Sequence, residues 1–288
     1  MSRIALSRRE FLRLAMHTSI GCLGLALGGY QYATRIEPGW LQVTHHNLQM
    51  PRLPRAFHGY RLVQISDIHM DPWMTAERLN HVVETVNDLA PDSIAITGDF
   101  ITEGIEGDTK ALLTGLRNLH AKDARVAVLG NHDHWADASK VRNILVQSGV
   151  ANVSNNLQTV RRGDHELHLA GVDDVWEGKD RLDLVLEMLP EDGCAILLAH
   201  EPDFADTSAA CGRFDLQLSG HSHGGQVILP IHGPPYIPAF AQKYPMGLYQ
   251  IGAMLQYTNR GVGMVGLQLR FNCRPEISVF TLETPPNL

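Results

Sequence analysis

The chain has 288 residues, 44% hydrophobic and 19% charged, an ordinary globular composition that suits one large α/β domain or two small ones. Its formal net charge of −7 argues against a sequence-independent grip on DNA or RNA, which needs a basic surface. Four cysteines, Cys22, Cys194, Cys211 and Cys273, show no CxxC spacing and suggest neither a zinc finger nor a disulfide framework.

Residues 1–30 read as a targeting segment. Ser7-Arg8-Arg9-Glu10-Phe11-Leu12-Arg13 precedes a mildly apolar run from about Leu14 to Tyr30, which is the twin-arginine export pattern. The run is broken by His17 and several glycines and is short for a spanning helix. Cleavage after Gly28 and retention as a membrane anchor are both open. Either fate places the protein in the periplasm or on the outer face of the cytoplasmic membrane, with the export machinery as a partner. Residues 31–288 contain nothing resembling a linker and are expected to form one domain.

Residues 40–50 alternate enough for an edge strand, and 60–66 read as a buried strand ending at Asp67. Leu79, Val82, Val83, Val86 and Leu89 recur at helical spacing across 75–90, and Pro91 ends that helix. A strand at 93–97, a helix at 109–120, a strand at 125–130 and a helix at 137–148 follow. Residues 157–172 form a hairpin pattern, then come a helix at 181–189 and strands at 194–199 and 214–219. Beyond these the pattern is all-β, in the stretches GGQVILP, GLYQIG, MLQYTN and EISVFTLE. Alternating strands and helices imply a mainly parallel first sheet, and the later short strands supply a second. Two sheets face to face with helices outside is the expected architecture.

Each buried strand delivers polar residues at its carboxyl end: Asp67 and His69, Asp99, Asn131-His132-Asp133, His200, and His221 with His223. That edge of an open α/β sheet is where ligands bind. Mixtures of Asp, Asn and His suit borderline divalent ions such as Mn, Fe or Zn, and seven donors match two ions better than one structural zinc. His221 and His223 stand two apart, which in extended chain points both the same way. Glycines before Asp99, Asn131 and His221 allow tight turns.

The ordered series Asp67-x-His69, Gly98-Asp99, Gly130-Asn131-His132-Asp133, His200 and Gly220-His221-x-His223 resembles the calcineurin-like metallophosphoesterases. The twin-arginine start, EPGW (37–40), GHSHGGQ and NCRPE (272–276) look like the small exported bacterial branch of that superfamily. The resemblance implies a four-layer α/β/β/α sandwich of two mixed sheets. It also implies one metal on Asp67, His69 and His223, a second on Asn131, His200 and His221, and Asp99 bridging both. Two such ions about 3.5–4 Å apart lower the pKa of a bridging water, whose hydroxide attacks phosphorus. His132 is the expected leaving-group acid, oriented by Asp133, a role contributing typically ~10²–10⁴-fold.

His45, His46, His81, His165 and His168 read as structural. His134 and Trp135 lie close enough to the motif to touch substrate, and Asp173 and Asp174 read as a solvated turn. Residues 230–245 carry five prolines with Tyr236, Phe240 and Tyr244, a stiff aromatic loop suited to an apolar part of a substrate. The leading expectation is a phosphodiesterase; the alternatives are a pyrophosphatase or phosphatase acting on a lipid-linked envelope precursor, and a non-catalytic envelope metal-binding protein.

Overall fold

The structure, a computed structural model, describes residues 7–103 and 107–285. Two six-stranded sheets pack face to face with helices on both outer faces, the four-layer sandwich expected. The first sheet has the order β1 (Gln42–Gln49), β12 (Glu276–Glu283), β2 (Tyr60–Ile65), β3 (Ser93–Thr97), β4 (Ala124–Val128) and β5 (Ala151–Asn152). In the second the order is β10 (Gly247–Ile251), β11 (Met254–Thr258), β9 (Leu216–Ser219), β8 (Cys194–Leu198), β7 (His165–Gly171) and β6 (Asn156–Arg162). β2, β3, β4 and β5 run parallel, as do β7, β8, β9 and β11.

Strand periodicity sorts the apolar residues between layers. Leu62, Ala95, Val126 and Val128 point inward to meet Leu167, Leu169, Ile196 and Leu218 of the facing sheet. Val63, Ile94, Ile96 and Ala127 point outward onto α2 (Ala76–Asp88), α3 (Thr109–Arg117) and α5 (Ala138–Ser148). α2 shows why its segment is helical: the Thr75 side chain caps Arg78 N–H, and Leu79, Val82, Val83 and Val86 all fall on the buried face. α6 (Leu182–Met188) and α7 (Ala205–Ala210) cover the outer face of the second sheet through Val185 and Ala205.

Two expectations fail here. EISVFTLE does not join the second sheet. It lies between β1 and β2 in the first, antiparallel to β2, with Ile277 and Val279 facing the helices and Phe280 and Leu282 facing the second sheet. Apolar residues on both faces demand a central place in a two-sided sheet. GGQVILP is not a strand either. Gly224, Gly225 and Gln226 have φ of 59°, 80° and 56°, so the backbone cannot pleat there, and the segment makes only isolated bridges, Val227 to Phe271 and Leu229 to Gly233.

The N-terminal segment is one helix, α1 (Arg8–Gln31), with 24 residues and none buried. At 1.5 Å per residue it measures about 36 Å, against roughly 30 Å for a bilayer's hydrocarbon. The run judged short is therefore part of a helix long and apolar enough to cross a membrane by length and composition. Residues 1–6 of the expected leader lie outside the described residues. EPGW and NCRPE, far apart in sequence, are partners in space. The buried Glu37 carboxylate accepts from the backbone N–H of Asn272 and Cys273, and Arg274 donates to the Trp40 carbonyl at 2.9 Å.

Candidate metal centre

The polar residues after β2, β3, β4, β8 and β9 converge at one end of the sandwich. Asp67, His69 and His223 form one buried group, and Asp99, His200 and His221 a second; within each, the donor atoms lie within 4.8 Å of one another. Asp99 Oδ2 stands 3.4 Å from His69 Nε2 in the first group and 3.2 Å from His200 Nε2 in the second. His69 Nε2 and His223 Nε2 are 3.1 Å apart, and His223 Nε2 is 3.4 Å from Asp67 Oδ1. One carboxylate thus touches both groups.

The imidazoles are held from behind. A carbonyl only accepts, so His200 Nδ1–H donates to Thr97 O at 2.6 Å and leaves Nε2 free to face Asp99. His221 is turned the other way: its Nε2–H donates to Ala239 O at 2.9 Å and leaves Nδ1 for the site. His69 Nδ1 is fixed by the Thr102 hydroxyl at 3.0 Å. Asn131 Oδ1 and His200 Nε2 are buried without a hydrogen-bond partner. Buried polar atoms are nearly always satisfied, so a cluster of unsatisfied donors of oxygen and nitrogen lone pairs fits a cation.

Electrostatics agree. Burial holds His69 and His221 at a pKa of about 3, and pushes His223 down as well, which keeps these imidazoles in the neutral, ligating form. Burial also raises the Asp67 carboxyl to about 7. Asp99 and His200 go the other way: burial would raise Asp99 and lower His200, but their mutual attraction outweighs it, holding Asp99 well below the usual carboxylate range and His200 well above its ordinary value, so an ion bound there would displace a proton from His200.

Packing is tight where glycine precedes a donor. A Cβ on Gly220 would run into the Ser66 hydroxyl and the Asp67 carboxylate, so only glycine lets the chain enter His221 at this distance.

Asp133 does not orient His132. Its buried carboxylate accepts from Phe100 N at 2.8 Å, Ile101 N at 3.2 Å and Gly130 N at 3.0 Å, and among the described residues no hydrogen bond joins it to the His132 ring. It ties the loop after β3 to the start of α4 (Asn131–Ala136), a short helix where the sequence suggested only a strand end. His132 N–H donates to Asp99 Oδ1 at 3.0 Å, and its ring packs edge-on against His69 and Trp135, both 4.9 Å away between centroids.

The metal groups open into a cleft of about 490 Å³ lined by Asp99, Asn131, His132, His221 and His223 on one side and by Trp135, Trp176 and Tyr236 on the other. Trp176, which the sequence did not single out, stacks edge-on to Trp135 at 5.5 Å and lies 5.6 Å from Phe240. Phe240 supports this wall without lining the cleft. His134 turns away and bonds Asp173 at 2.8 Å. Asp173 and Asp174 are buried rather than solvated: Asp173 also pairs with Arg142, and Asp174 caps Glu177 N–H. His168 is a satisfied core residue bonded to Thr159.

The sequence also missed Arg270. Fully buried, it donates to the carbonyls of Arg260, Gly261, Gly263 and Cys273, bracing the 260–263 segment whose Gly263 N–H bonds Asp67 O. A lone arginine in LQLRFNC carries no local signal of this.

A two-sheet sandwich that gathers two three-residue donor groups around one shared carboxylate is the frame of a dinuclear metallohydrolase. Residues 60–225 match the family model of the calcineurin-like phosphoesterases, and the chain belongs to that family. It is 37% identical over 286 residues to the uncharacterized metallophosphoesterase YkuE of Bacillus subtilis, covering 97% of this chain and 98% of that one. It is 28% identical to the phosphodiesterase YaeI of Escherichia coli, covering 96% and 99%. A transmembrane protein with metallophosphoesterase domain from Bos taurus is 31% identical, over 85% of this chain and 57% of its own length. The chain is a hydrolase of the metallophosphoesterase class.

Proposed function

We propose that the protein is a phosphodiesterase that uses two divalent ions, of Mn, Fe or Zn, and acts on an exported, lipid-linked phosphoester. Asp67, His69 and His223 hold one ion; Asn131, His200 and His221 hold the other; Asp99 serves both. When bound, the pair supplies an activated water and neutralises charge on the phosphoryl group. His132, at the cleft face between the donor groups and Trp135, delivers a proton to the leaving oxygen. Asp133 contributes by fixing the backbone around Asp99 and Asn131 rather than by touching the His132 ring. Tyr236, with Phe240 behind Trp176, receives the apolar part of the substrate; His134 holds Asp173 at the rim instead of contacting substrate.

The observation that carries this reading is Asp99 Oδ2 standing within 3.4 Å of imidazoles from both groups. The name of YaeI as a phosphodiesterase, over 96% of this chain, supports diesters over monoesters. The apolar aromatic wall supports a lipid-linked substrate, and the Arg8-Arg9 start with its exposed helix supports twin-arginine export and membrane association.

The test uses the purified full chain in detergent, reconstituted with Mn²⁺ and assayed on bis-p-nitrophenyl phosphate. Wild type is expected to turn over with stoichiometric metal. Asp99→Asn loses metal and rate together, whereas His132→Ala keeps the metal and loses about 10²–10⁴ in rate. Full activity in His132→Ala overturns its role. Reconstituted wild type without a transition metal overturns the whole reading.

A further inference from the structure

The cleft is walled on its apolar side by two loops whose outer surfaces are left exposed by the described residues. Ile231 is 101% exposed, Leu267 72%, Tyr236 69% and Leu229 42%. Large side chains of this kind seldom gather on a surface without something to cover them. Residues 226–241 and 261–269 contain no Asp, Glu, Lys or Arg at all; in 25 residues of a 19% charged chain about five would be expected. A surface that avoids charge over two separate segments fits an apolar neighbour and not merely a tolerant loop.

These loops are joined to the end of α1 by a short chain of backbone hydrogen bonds. Arg270 N–H donates to Ala33 O at 2.9 Å, just beyond the helix. Next to it, Phe271 N–H donates to Gln226 O at 2.9 Å, and Ile228 N–H to Phe271 O at 2.8 Å. Leu229 and Gly233 then exchange two hydrogen bonds at 2.9 Å each, closing a tight hairpin with Ile231 at its tip. The second loop is tied to the same place, since Val265 N–H donates to the Gln226 side chain at 2.7 Å. The apolar hairpin is therefore tied through segment 270–272 to the chain just where it leaves the apolar helix.

We infer that the 229–236 and 265–267 loops seat in the headgroup layer of the membrane that α1 enters, so that the cleft opens onto the bilayer and takes a lipid phosphate from its surface. The occupant is a phospholipid bilayer, chosen because the patch is tied by backbone hydrogen bonds to the exit of a helix whose 24 residues are all unburied and which suits a membrane by length and composition. Tyr236, with its hydroxyl-bearing ring, is the residue type that settles at such an interface. The inference rests on the reading of α1 as an anchor and of the substrate as lipid-linked. It adds the orientation of the catalytic domain on the membrane.

The test needs no catalysis, so its failure is distinct from failure of the proposed reaction. The full chain carrying Cys22→Ser, Cys211→Ser and Ile231→Cys is labelled with a nitrobenzoxadiazole fluorophore and reconstituted into phosphatidylcholine–phosphatidylglycerol vesicles. A matched protein carries Val146→Cys on α5, where the native valine is 75% exposed, in place of Ile231→Cys. The Ile231 label is expected to shift to the blue and to be quenched at least twofold more than the Val146 label by lipids bearing a shallow nitroxide. Equal quenching at both positions overturns the inference. A blue shift that appears in detergent and grows with protein concentration also overturns it, because a second copy would then cover the patch. As an independent check, Leu229→Asp with Ile231→Asp is expected to abolish the preference for a vesicle-embedded phosphodiester while leaving soluble-ester turnover unchanged; a retained preference counts against the inference.

Discussion

Gly130→Ala tests whether Asp99 and His200 belong to one metal site. Gly130 has φ −117° and ψ 178°, extended backbone that alanine adopts without strain, so any effect must come from the added methyl. That carbon would stand 2.7 Å from His200 Nε2 and closer still to Asp99 Oδ1. Ordinary contact begins at 3.4 Å, so His200 must withdraw by roughly 0.7 Å. It has nowhere easy to go, being fully buried and anchored to Thr97 O at 2.6 Å. Metal–ligand distances tolerate only about ±0.2 Å, and a 1 Å misplacement costs on the order of 10²-fold in rate. We expect one ion or fewer per chain instead of two, turnover down by about 10², and overpacking that costs about 1–3 kcal/mol. Elemental analysis after chelation and reconstitution, with calorimetry on the same samples, measures both. Gly39→Ala is the control, since its Cβ meets only Arg78 Nη1 at an ordinary 3.5 Å. Two ions and full rate in Gly130→Ala would refute the shared site.

Three further outcomes are expected. Arg270→Met strands carbonyls that the guanidinium now satisfies, and should cost roughly 3–5 kcal/mol in denaturant unfolding; a loss under 1 kcal/mol would show that the 260–263 segment stands without it. His134→Gln should destabilise in a pH-dependent way. The hydrogen bond to Asp173 raises His134 above its ordinary 6.5, so that contribution is complete below pH 6.5 and fades as pH rises through the raised value. Burial would raise Asp173, but its bond to His134 prevails and lowers it below 3.8, so its share is present above 3.8 and fades as pH falls through the lowered value. The difference from wild type should be largest between those limits, about 1 kcal/mol after allowing for solvent screening, and a difference that does not change with pH refutes the ion pair. Finally, Mn²⁺ at a hundred times its Kd should add about 2.7 kcal/mol per site to unfolding free energy, an increment that Asp99→Asn removes.

What the sequence disclosed follows from periodicity. β2, β3, β4, β8 and β9 are short apolar runs ending in polar residues, and strand ends are visible wherever hydrophobicity stops abruptly. α2, α3 and α5 declare themselves by caps and a 3.6-residue rhythm. α4 has no rhythm, because six residues are too few to set one, and no Ser, Thr, Asp or Asn at its cap position, where Gly130 stands and Asp133 bonds back to its N–H. β12 was assigned to the wrong sheet because its apolar run fixes its burial but not its neighbours. The aromatic wall was half legible: Tyr236 stands out in a proline-rich loop, whereas Trp176 sits in a turn that buried Glu201 holds by accepting from the N–H groups of Val175 and Trp176 at 3.2 and 3.4 Å. Contacts of that kind, like those of Arg270, are set by tertiary packing and leave no trace in local spacing.

The spacing of His221 and His223 shows where a correct motif rests on the wrong geometry. Two residues apart in extended chain they would share a direction, yet they join different donor groups, His221 with Asp99 and His200, His223 with Asp67 and His69. The cause is backbone conformation. Asp67, His69, Asp99, His221 and His223 have φ of 51°, 48°, 55°, 69° and 49°, all left-handed and all non-glycine. Each such residue costs about 1–2 kcal/mol, so the five together oppose folding by an amount comparable to a domain's whole net stability of roughly 5–15 kcal/mol. Strain of this size persists only where the surroundings over-determine it. Here they do: Asp133 fastens the loop behind Asp99, Arg270 fastens the segment behind Asp67, and the Cys273 thiol, beside buried Glu37, reaches His223 O at 3.1 Å. Glycine at these five positions would relieve the backbone but delete the donors. The chain therefore keeps aspartate and histidine in conformations that suit glycine, because those turns fold the donor side chains back over the strand ends into two adjoining groups instead of one row.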